Sequence, residues 1–224
     1  AIVGEPTLMQ VIDGHKGCYE YTTYFTGLAG HGSAPDLGVN AVEYAAQFVN
    51  KIIALKAELR ARVPQGSNFT PPWTTLSTGS LSGGVAHNVI PDRATVAWDM
   101  RPVHPSDAAF VHDALNKLCQ EILLPAMRDV DPDATITTEV LAEVEGLLPT
   151  VENEARDLVM ELTGANGTDL VAFGTEAGLF QQAGMSVAIC GPGSIEQAHK
   201  ADEYVEVDQL ALCLSMLERL GNRL

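Results

Sequence analysis

A carboxylate and an imidazole, each following a predicted strand, are the groups in this sequence best suited to hold a metal ion. Glu5 stands where the buried strand IVG ends in a loop, and His199 follows the predicted strand 186–190. Open α/β sheets bind ligands at the carboxyl ends of their strands, so the two side chains can meet despite 194 positions of separation. Carboxylate and imidazole are ordinary zinc ligands, but two ligands do not complete a site, and each residue can instead be a turn or loop residue.

Other polar residues stand at turns and strand ends. His31 lies in the glycine-rich loop GLAGHGSAPD, where a solvated histidine or a functional one fits equally well. Arg101 ends the strand VAWDMR, where its planar guanidinium suits a substrate carboxylate but also an ion pair with Asp99. Asn88, in HNVIPD, is typical of a turn. The remaining histidines have no such context and are interpreted as surface or packing residues: His15, His87, His104 and His112.

The charge balance argues against a nucleic-acid partner. The 224 residues carry 13 Lys and Arg against 29 Asp and Glu, a formal net charge of −16, without a basic cluster of the kind that neutralises phosphates. No apolar run is long enough to span a bilayer, and AIVGEPT does not read as a signal peptide, so we expect no membrane partner and a cytoplasmic location. Four cysteines stand singly, which is typical of reduced core thiols.

Hydrophobic periodicity predicts a βαββαβ unit between residues 15 and 147. The elements are strand CYEYTTYFT, an amphipathic helix over 40–56 with Asp36 or Asn40 as cap, strands TTLSTGSLSGG and ATVAWDMRP, a helix opened by Pro105, and strand ATITTEVLAEV. This order is that of a ferredoxin-like fold, in which two helices cover one antiparallel sheet. Such a unit can close on its own.

The flanking segments form only fragments of an α/β layer. They are a short strand IVGEP, a helix over 153–163, the helix EAGLFQQAG, a strand MSVAIC and a helix from 207 to about 220. The predicted fold class is therefore α/β (α+β), with a ferredoxin-like dimerisation (lid) domain over 15–147 inserted in an incomplete α/β metal-binding catalytic domain formed by 1–14 and 148–224. The first residue is not methionine, and we expect the chain to be the back part of a longer protein.

Seven motifs occur here in the order found in the dinuclear-zinc amidohydrolase and metallopeptidase family, which the sequence resembles over essentially its whole length. The motifs are VGEPT, HKG, GHGSAPDLGVNA, NVIPD, WDMRP, GTEAG and GPGSIEQAHKADEY. The resemblance implies two zinc ions per subunit, with cobalt as an alternative, and assigns Glu5 to one metal and His199 to the other. The family's remaining ligands and its general-base glutamate belong to motifs that this sequence does not contain. We therefore expect the chain alone to be inactive.

The same resemblance assigns a catalytic role to His31, which would reach from one subunit into its partner's site and hydrogen-bond the oxyanion of the tetrahedral intermediate. A homodimer through the inserted domain would then be part of catalysis. The implied substrate-binding residues are Asn88, Arg101, Thr175, Glu176, Gly191 and Gly193. The resemblance places both Asn88 and Arg101 on the side of the substrate's α-carboxylate. By pattern alone, Thr175 can instead be the N-cap of a helix, and Glu176 an acidic residue in the first turn of that helix. If Glu176 lies near the metals, it would bind the side-chain ammonium of an acylated diamino acid.

The activity that follows from this resemblance is hydrolysis of the amide bond of a small-molecule N-acyl amino acid, with N-acetylornithine as the first choice. Desuccinylase, aminoacylase and dipeptidase activities are alternatives within the family, because residues that read the acyl group can lie outside this sequence. A different class of alternative is that the isolated chain is a non-catalytic dimerisation module.

Overall fold

The computed structural model describes residues 1–223 of the chain. Its strands are β1 (Ile2–Val3), β2 (Ile12–His15), β3 (Cys18–Thr26), β4 (Gly30–His31), β5 (Thr75–Gly83), β6 (Val89–Ile90), β7 (Arg93–Arg101), β8 (Thr135–Val144), β9 (Asp169–Val171) and β10 (Ala188–Ile189). Its α-helices are α1 (Ala41–Arg60), α2 (Pro105–Leu118), α3 (Leu124–Arg128), α4 (Glu154–Thr163), α5 (Ala177–Gln182) and α6 (Val207–Gly221). Over these residues no helix is both long and apolar enough to cross a bilayer.

The chain divides into two compact units. The ferredoxin-like unit consists of Cys18–Ser67 and Pro71–Glu143, and the flanking unit consists of Ala1–Gly17, Asn68–Thr70 and the described chain from Val144 onward. The predicted domain over 15–147 encloses the ferredoxin-like unit with three additional residues at its start and four at its end. Those domain boundaries remain a prediction.

The ferredoxin-like unit has one four-stranded sheet in the order β5-β7-β3-β8. Strand β7 pairs antiparallel with both β5 and β3, from Tyr19 opposite Met100 to Thr26 opposite Arg93 on the β3 side. Two β-α-β segments and this strand order define the ferredoxin-like arrangement. The fold class predicted from the order of elements is confirmed.

Alternation along β7 and the helical period of α1 build the core of this unit. Val96, Trp98 and Met100 are buried on one face of β7, and Phe48 and Ile52 of α1 pack against that face. Burying one such side chain contributes about 1.5–3 kcal/mol relative to leaving it exposed. Helix α1 begins where the Asn40 side chain accepts hydrogen bonds from two backbone N–H groups of the first turn, so Asn40 and not Asp36 is the cap.

Helix α2 does not end cleanly but widens into a π-helical segment, Cys119–Leu123, before α3. Pro125 lies just beyond and has no N–H for the normal bond four residues back. The backbone N–H of Leu124 instead donates to the Cys119 carbonyl, five residues back, which makes room for the proline ring.

The flanking unit has a mixed sheet in the order β1-β10-β2-β9. Strand β10 runs parallel to β1 and antiparallel to β2, which pairs parallel with β9. Its core includes Val11, Val159, Leu162, Ala188 and Met216 from the sheet, α4 and α6. Strands β2 and β9 were not predicted, because each is too short to show a clear period.

Candidate functional site

The segment that carries Glu5 is hydrogen-bonded directly to the turn Gly191-Pro192-Gly193, here called the glycine turn, which precedes His199. The backbone N–H groups of Thr7 and Met9 donate to the Gly191 carbonyl at 3.2 and 2.9 Å, and the Gly191 N–H donates to Thr7 Oγ1 at 3.2 Å. A Cβ added at Gly191 would lie 2.5 Å from the Glu5 carbonyl oxygen. Gly191 therefore lets two backbones approach each other, which is the close contact that only glycine permits.

Backbone strain marks the same loops. Gly193 has φ +89°, its carbonyl accepts from the Leu8 N–H at 2.6 Å, and its N–H donates to Gln209 Oε1 at 3.4 Å. Leu8 and Met9 have φ of +56° and +60°, a conformation that costs roughly 1 kcal/mol for each non-glycine residue. Such strain persists only where surrounding contacts enforce it, and it clusters at functional sites.

Glu176 and His199 each lie within electrostatic range of Glu5 in the flanking unit. Glu5 is half-buried, and its pKa is raised by burial and by the charge of Glu176, while His199 acts in the opposite direction. An imidazole and two carboxylates thus gather beside the glycine turn. Within residues 1–223, however, no group of three or more His, Cys, Asp or Glu side chains is close enough to hold a metal ion.

His199 is held in a strained loop conformation. Its φ is +59°, its side chain is exposed, and its backbone N–H donates to Glu203 Oε2 at 3.0 Å. Asp202 in the same loop has φ +59° as well. The surrounding loop thus holds the His199 backbone in a strained conformation, of the kind that clusters at functional sites.

Thr175 and Glu176 meet the start of α5 in different ways. Thr175 is buried and its Oγ1 accepts a hydrogen bond from the Ala177 N–H at 3.0 Å, so its hydroxyl serves the helix start. Glu176 is the N-terminal flanking residue of α5 and is exposed. Its carboxylate is therefore the group of this pair that can meet a ligand.

His31 and Asn88 are brought together in the ferredoxin-like unit. Gly30 and His31 form β4, which pairs antiparallel with Val89 and Ile90 of β6, and the Gly32 N–H donates to the Asn88 carbonyl at 2.8 Å. The exposed imidazole of His31 accepts the Ser33 N–H at Nδ1, 3.2 Å away, with Ser33 Oγ at 2.7 Å from the same nitrogen. Because Nδ1 is an acceptor, the proton of the neutral ring sits on Nε2, which makes no hydrogen bond to any described residue and so remains available as a donor.

Arg101 lies at the far end of β7 from Asn88. The nine-residue strand begins at Arg93 beside the loop that holds Asn88, so about 27 Å separates its two ends. The structure thus does not bring Asn88 and Arg101 to one substrate carboxylate within a single chain. Arg101 Nε donates to Asp99 Oδ2 at 3.2 Å, and its guanidinium lies 3.8 Å from Glu20, so the alternative ion pair with Asp99 is formed.

Two buried titratable residues beside the candidate site had no functional prediction. His15 has no exposed surface, its Nδ1 donates to the Lys16 carbonyl at 2.7 Å, and its Nε2 has no hydrogen-bond partner among the described residues. Burial lowers the pKa of His15, and Glu176 acts against that shift. Burial also lowers the pKa of Lys16 to about 8. The motif HKG at a strand end could have drawn attention to these two residues, but a three-residue motif does not indicate that a charged side chain is buried.

Comparison with known proteins places this geometry in a family. Residues 13–127 match the peptidase dimerisation domain of the M20 type. The chain is 33% identical over 221 residues to an acetylornithine deacetylase of Myxococcus xanthus, covering 98% of this chain and 56% of that protein. It is 34% identical over 206 residues to the acetylornithine deacetylase of Salmonella arizonae, covering 92% and 52%. The chain spans about half the length of these curated relatives.

Solved structures show the same fold at low sequence identity. The aminopeptidase PepT of Bacillus cereus superposes with a TM-score of 0.71 at 16% identity, covering 98% of this chain and 56% of that one. A tripeptidase of Staphylococcus aureus gives 0.68 at 18% identity, covering 96% and 53%. The family match extends over most of the ferredoxin-like unit and the fold agrees along nearly the whole chain, so this chain belongs to the M20 peptidase dimerisation-domain family.

Proposed function

We propose that this chain is part of a metal-dependent amidohydrolase that removes the acyl group from an N-acyl amino acid, with N-acetylornithine as the first choice of substrate. The observation that carries the proposal is His31, an exposed imidazole whose Nδ1 is occupied by Ser33, so that Nε2–H is the free donor. The 33% and 34% identity to acetylornithine deacetylases supports the reaction class. The proposal places the enzyme in the cytoplasm, where its four cysteines remain thiols.

The role proposed for His31 is stabilisation of the oxyanion formed when water attacks the amide carbonyl. A donor aimed at the developing negative charge contributes about 3 kcal/mol to lowering the barrier. The β4–β6 ladder and the Ser33 hydrogen bonds hold the ring in one orientation, which is what such a donor needs. The Asn88 carbonyl accepts a hydrogen bond from the Gly32 N–H, next to His31. Asn88 would therefore lie in the same partner site as His31 and contact the same substrate.

A homodimer through the ferredoxin-like unit is the proposed route by which His31 reaches a substrate. Strand β5 forms one edge of the four-stranded sheet, and its second half, from Ser80 to Gly83, is exposed. Edge strands present unpaired N–H and C=O groups that a second copy can satisfy by strand pairing. His31 and Asn88 would then serve the partner's site, and Arg101, at the opposite end of β7, would act in a different place.

Glu5 and His199 are proposed as ligands, one to each of two zinc ions, with cobalt as an alternative. Their donor types suit zinc, but their number does not complete a site, since zinc takes three or four protein ligands. A bound metal would supply activated water and polarisation of the carbonyl. This chain's own contribution is to hold the His199 backbone in a strained loop and to hold the Glu5 backbone against Gly191.

Substrate selection is proposed to rest on Glu176. Its exposed carboxylate lies near Glu5, where it would attract the side-chain ammonium of an acylated diamino acid and disfavour an acidic side chain. Arg101 is proposed to bind a carboxylate through the part of its guanidinium that Asp99 does not occupy. The other proposed substrate-binding residues are uncharged and would act by fixing the conformation of the backbone beside the substrate; they are Thr175, Gly191 and Gly193.

A second candidate function, a non-catalytic dimerisation module, is favoured by one observation. The family match extends over residues 13–127 and so leaves Glu176 and His199 outside it. The two functions differ in a simple assay. Assayed as the full-length protein, the proposed enzyme should hydrolyse N-acetylornithine faster than N-succinyl-diaminopimelate or neutral N-acetyl amino acids. A full-length protein in which this chain is only a dimerisation module should hydrolyse none of them with zinc present.

Mixed dimers test the cross-subunit role directly. Full-length subunits with His31→Ala are combined with full-length subunits carrying Glu5→Ala, and heterodimers are confirmed by mass spectrometry. One of the two hybrid sites then has both an intact ligand and an intact histidine, so activity should rise well above that of either parent. Heterodimers as inactive as both parents would contradict the role of His31 in the partner's site.

A further inference from the structure

A cavity of about 300 Å³ lies in the ferredoxin-like unit between α2 and the edge strand β8. We call it the β8 cavity, and its floor is aromatic. Tyr21 and Trp98 stack with ring centroids 4.3 Å apart, and Phe48 meets Trp98 edge-on at 6.1 Å. The volume is at the lower end of the range for small-molecule sites, and the apolar floor is typical of them.

A directed hydrogen-bond chain forms the polar rim of the β8 cavity. Tyr21 Oη donates to Glu143 Oε1 at 2.7 Å and lies 2.7 Å from His112 Nε2. The hydroxyl has one proton and gives it to the carboxylate, so the imidazole must donate to the hydroxyl oxygen. Glu143 Oε1 also lies 4.0 Å from His112 Nε2, whereas Glu143 Oε2 accepts no hydrogen bond among the described residues and its side chain is partly exposed.

The helix that covers the cavity departs from α-helical geometry at the same place. Cys119, which lines the cavity, is the first residue of the π-helical segment, and Gln120 beside it also lines the cavity. Burial raises the pKa of Cys119 to about 11, so it contributes a neutral thiol to the wall. Single-turn π segments are frequent at functional sites, because they displace one helix face from its neighbours.

From these observations we propose that the β8 cavity binds a small aromatic ammonium compound, with its ring inside the cavity beside the stacked Tyr21–Trp98 pair and its cation on Glu143. The aromatic floor fits a flat apolar body. Glu143 fits a cation because a charge-assisted bond to a carboxylate is about twice as strong as a neutral one. The chain's net charge of −16 adds long-range attraction for a cation and disfavours an anion.

The test uses Trp98 as a reporter in the purified chain. The sequence has two tryptophans, so Trp73→Phe leaves Trp98 as the single indole, and Phe preserves a ring beside Arg60. Phenethylammonium is titrated while the indole emission is recorded, with 2-phenylethanol and 3-phenylpropionate as neutral and anionic counterparts. We expect saturable changes with phenethylammonium, about tenfold weaker binding of the alcohol, and still weaker binding of the acid.

Three variants distinguish a ligand-binding site from a cavity left by imperfect packing of the core. Glu143→Gln keeps the acceptor for Tyr21 but removes the charge, and should weaken phenethylammonium binding about tenfold. Glu139→Gln is the matched control, because Glu139 is an exposed β8 carboxylate bonded to Tyr24 and absent from the cavity lining. Val140→Phe, at an exposed lining position, should block binding altogether.

Circular dichroism confirms that each variant is folded before titration. No saturable response at millimolar phenethylammonium would overturn the proposal. Equal affinity for the amine and the alcohol would also overturn it, because the cavity would then be an apolar gap without charge recognition. A loss in Glu139→Gln equal to that in Glu143→Gln would contradict the assignment to Glu143.

Discussion

Replacing Gly191 by alanine should detach the glycine turn from the segment that carries Glu5. The added Cβ would lie 2.5 Å from the Glu5 carbonyl oxygen and 2.7 Å from the Gly4 carbonyl carbon, against backbone atoms that have no flexible end to move aside. Ordinary contact requires the two backbones to separate by roughly 1 Å. That shift stretches the bonds between Gly191 and Thr7 and between Met9 and Gly191, each worth about 1 kcal/mol.

We therefore expect a local destabilisation of about 2 kcal/mol, within the range seen for overpacking of a tight site. Amide hydrogen exchange measures it where it occurs. The Met9 N–H, bonded to the Gly191 carbonyl, and the Cys190 N–H, bonded to the Val3 carbonyl, should exchange about thirtyfold faster in Gly191→Ala.

Gly167→Ala is the matched control. Gly167 lies in the same unit, and a Cβ there meets nothing within 4 Å. That substitution should leave the two amides unchanged and stabilise the chain by up to about 1 kcal/mol by restricting the unfolded state. If Gly191→Ala and Gly167→Ala gave the same exchange rates at Met9 and Cys190, the close approach at Gly191 would be refuted.

Three further outcomes are expected. In the enzyme that carries this chain, His199→Ala should remove about one metal ion per subunit; unchanged metal content by elemental analysis would exclude a ligand role. The chain alone should not hydrolyse N-acetylornithine with added zinc, because Glu5 and His199 do not complete a site, and turnover by rigorously purified chain would contradict this. The lowered pKa of buried His15 means that protonation favours the unfolded chain, so the free energy of unfolding should fall as pH drops below about 6.5. His15→Asn should flatten that decline in urea titrations at pH 7 and pH 5, whereas replacement of the exposed His87 should not.

Local patterns in the sequence were sufficient for the ferredoxin-like unit. Aromatic and β-branched residues in CYEYTTYFT predicted β3, and alternation in ATVAWDMRP predicted β7. The helical period over 40–56 predicted α1, because side-chain burial in a helix repeats over three to four residues. The order of these elements then restricted the topology to few choices. The short strands β2 and β9 were not predicted, because three or four residues are too few to show an alternation of buried and exposed side chains.

Motifs in the sequence also predicted which residues form the candidate site, but they did not predict the distances between those residues. Glu5 and His199 follow strands of the same sheet, and the charge of His199 acts on the pKa of Glu5, but their role as metal ligands stays a prediction. The separation of Asn88 from Arg101 follows from the length of β7, a nine-residue extended strand that keeps its two ends apart.

Contacts between distant segments were decided by the tertiary structure alone. The sequence marks Gly191 as a turn residue, yet its need for glycine comes from the Glu5 backbone, which lies 186 positions away along the chain. Likewise His15 and His112 look alike in sequence, and only packing buries the first and bonds the second to Tyr21 across the β8 cavity. Burial and hydrogen bonding depend on which surfaces meet, and a local pattern carries no information on segments that are far apart in the chain.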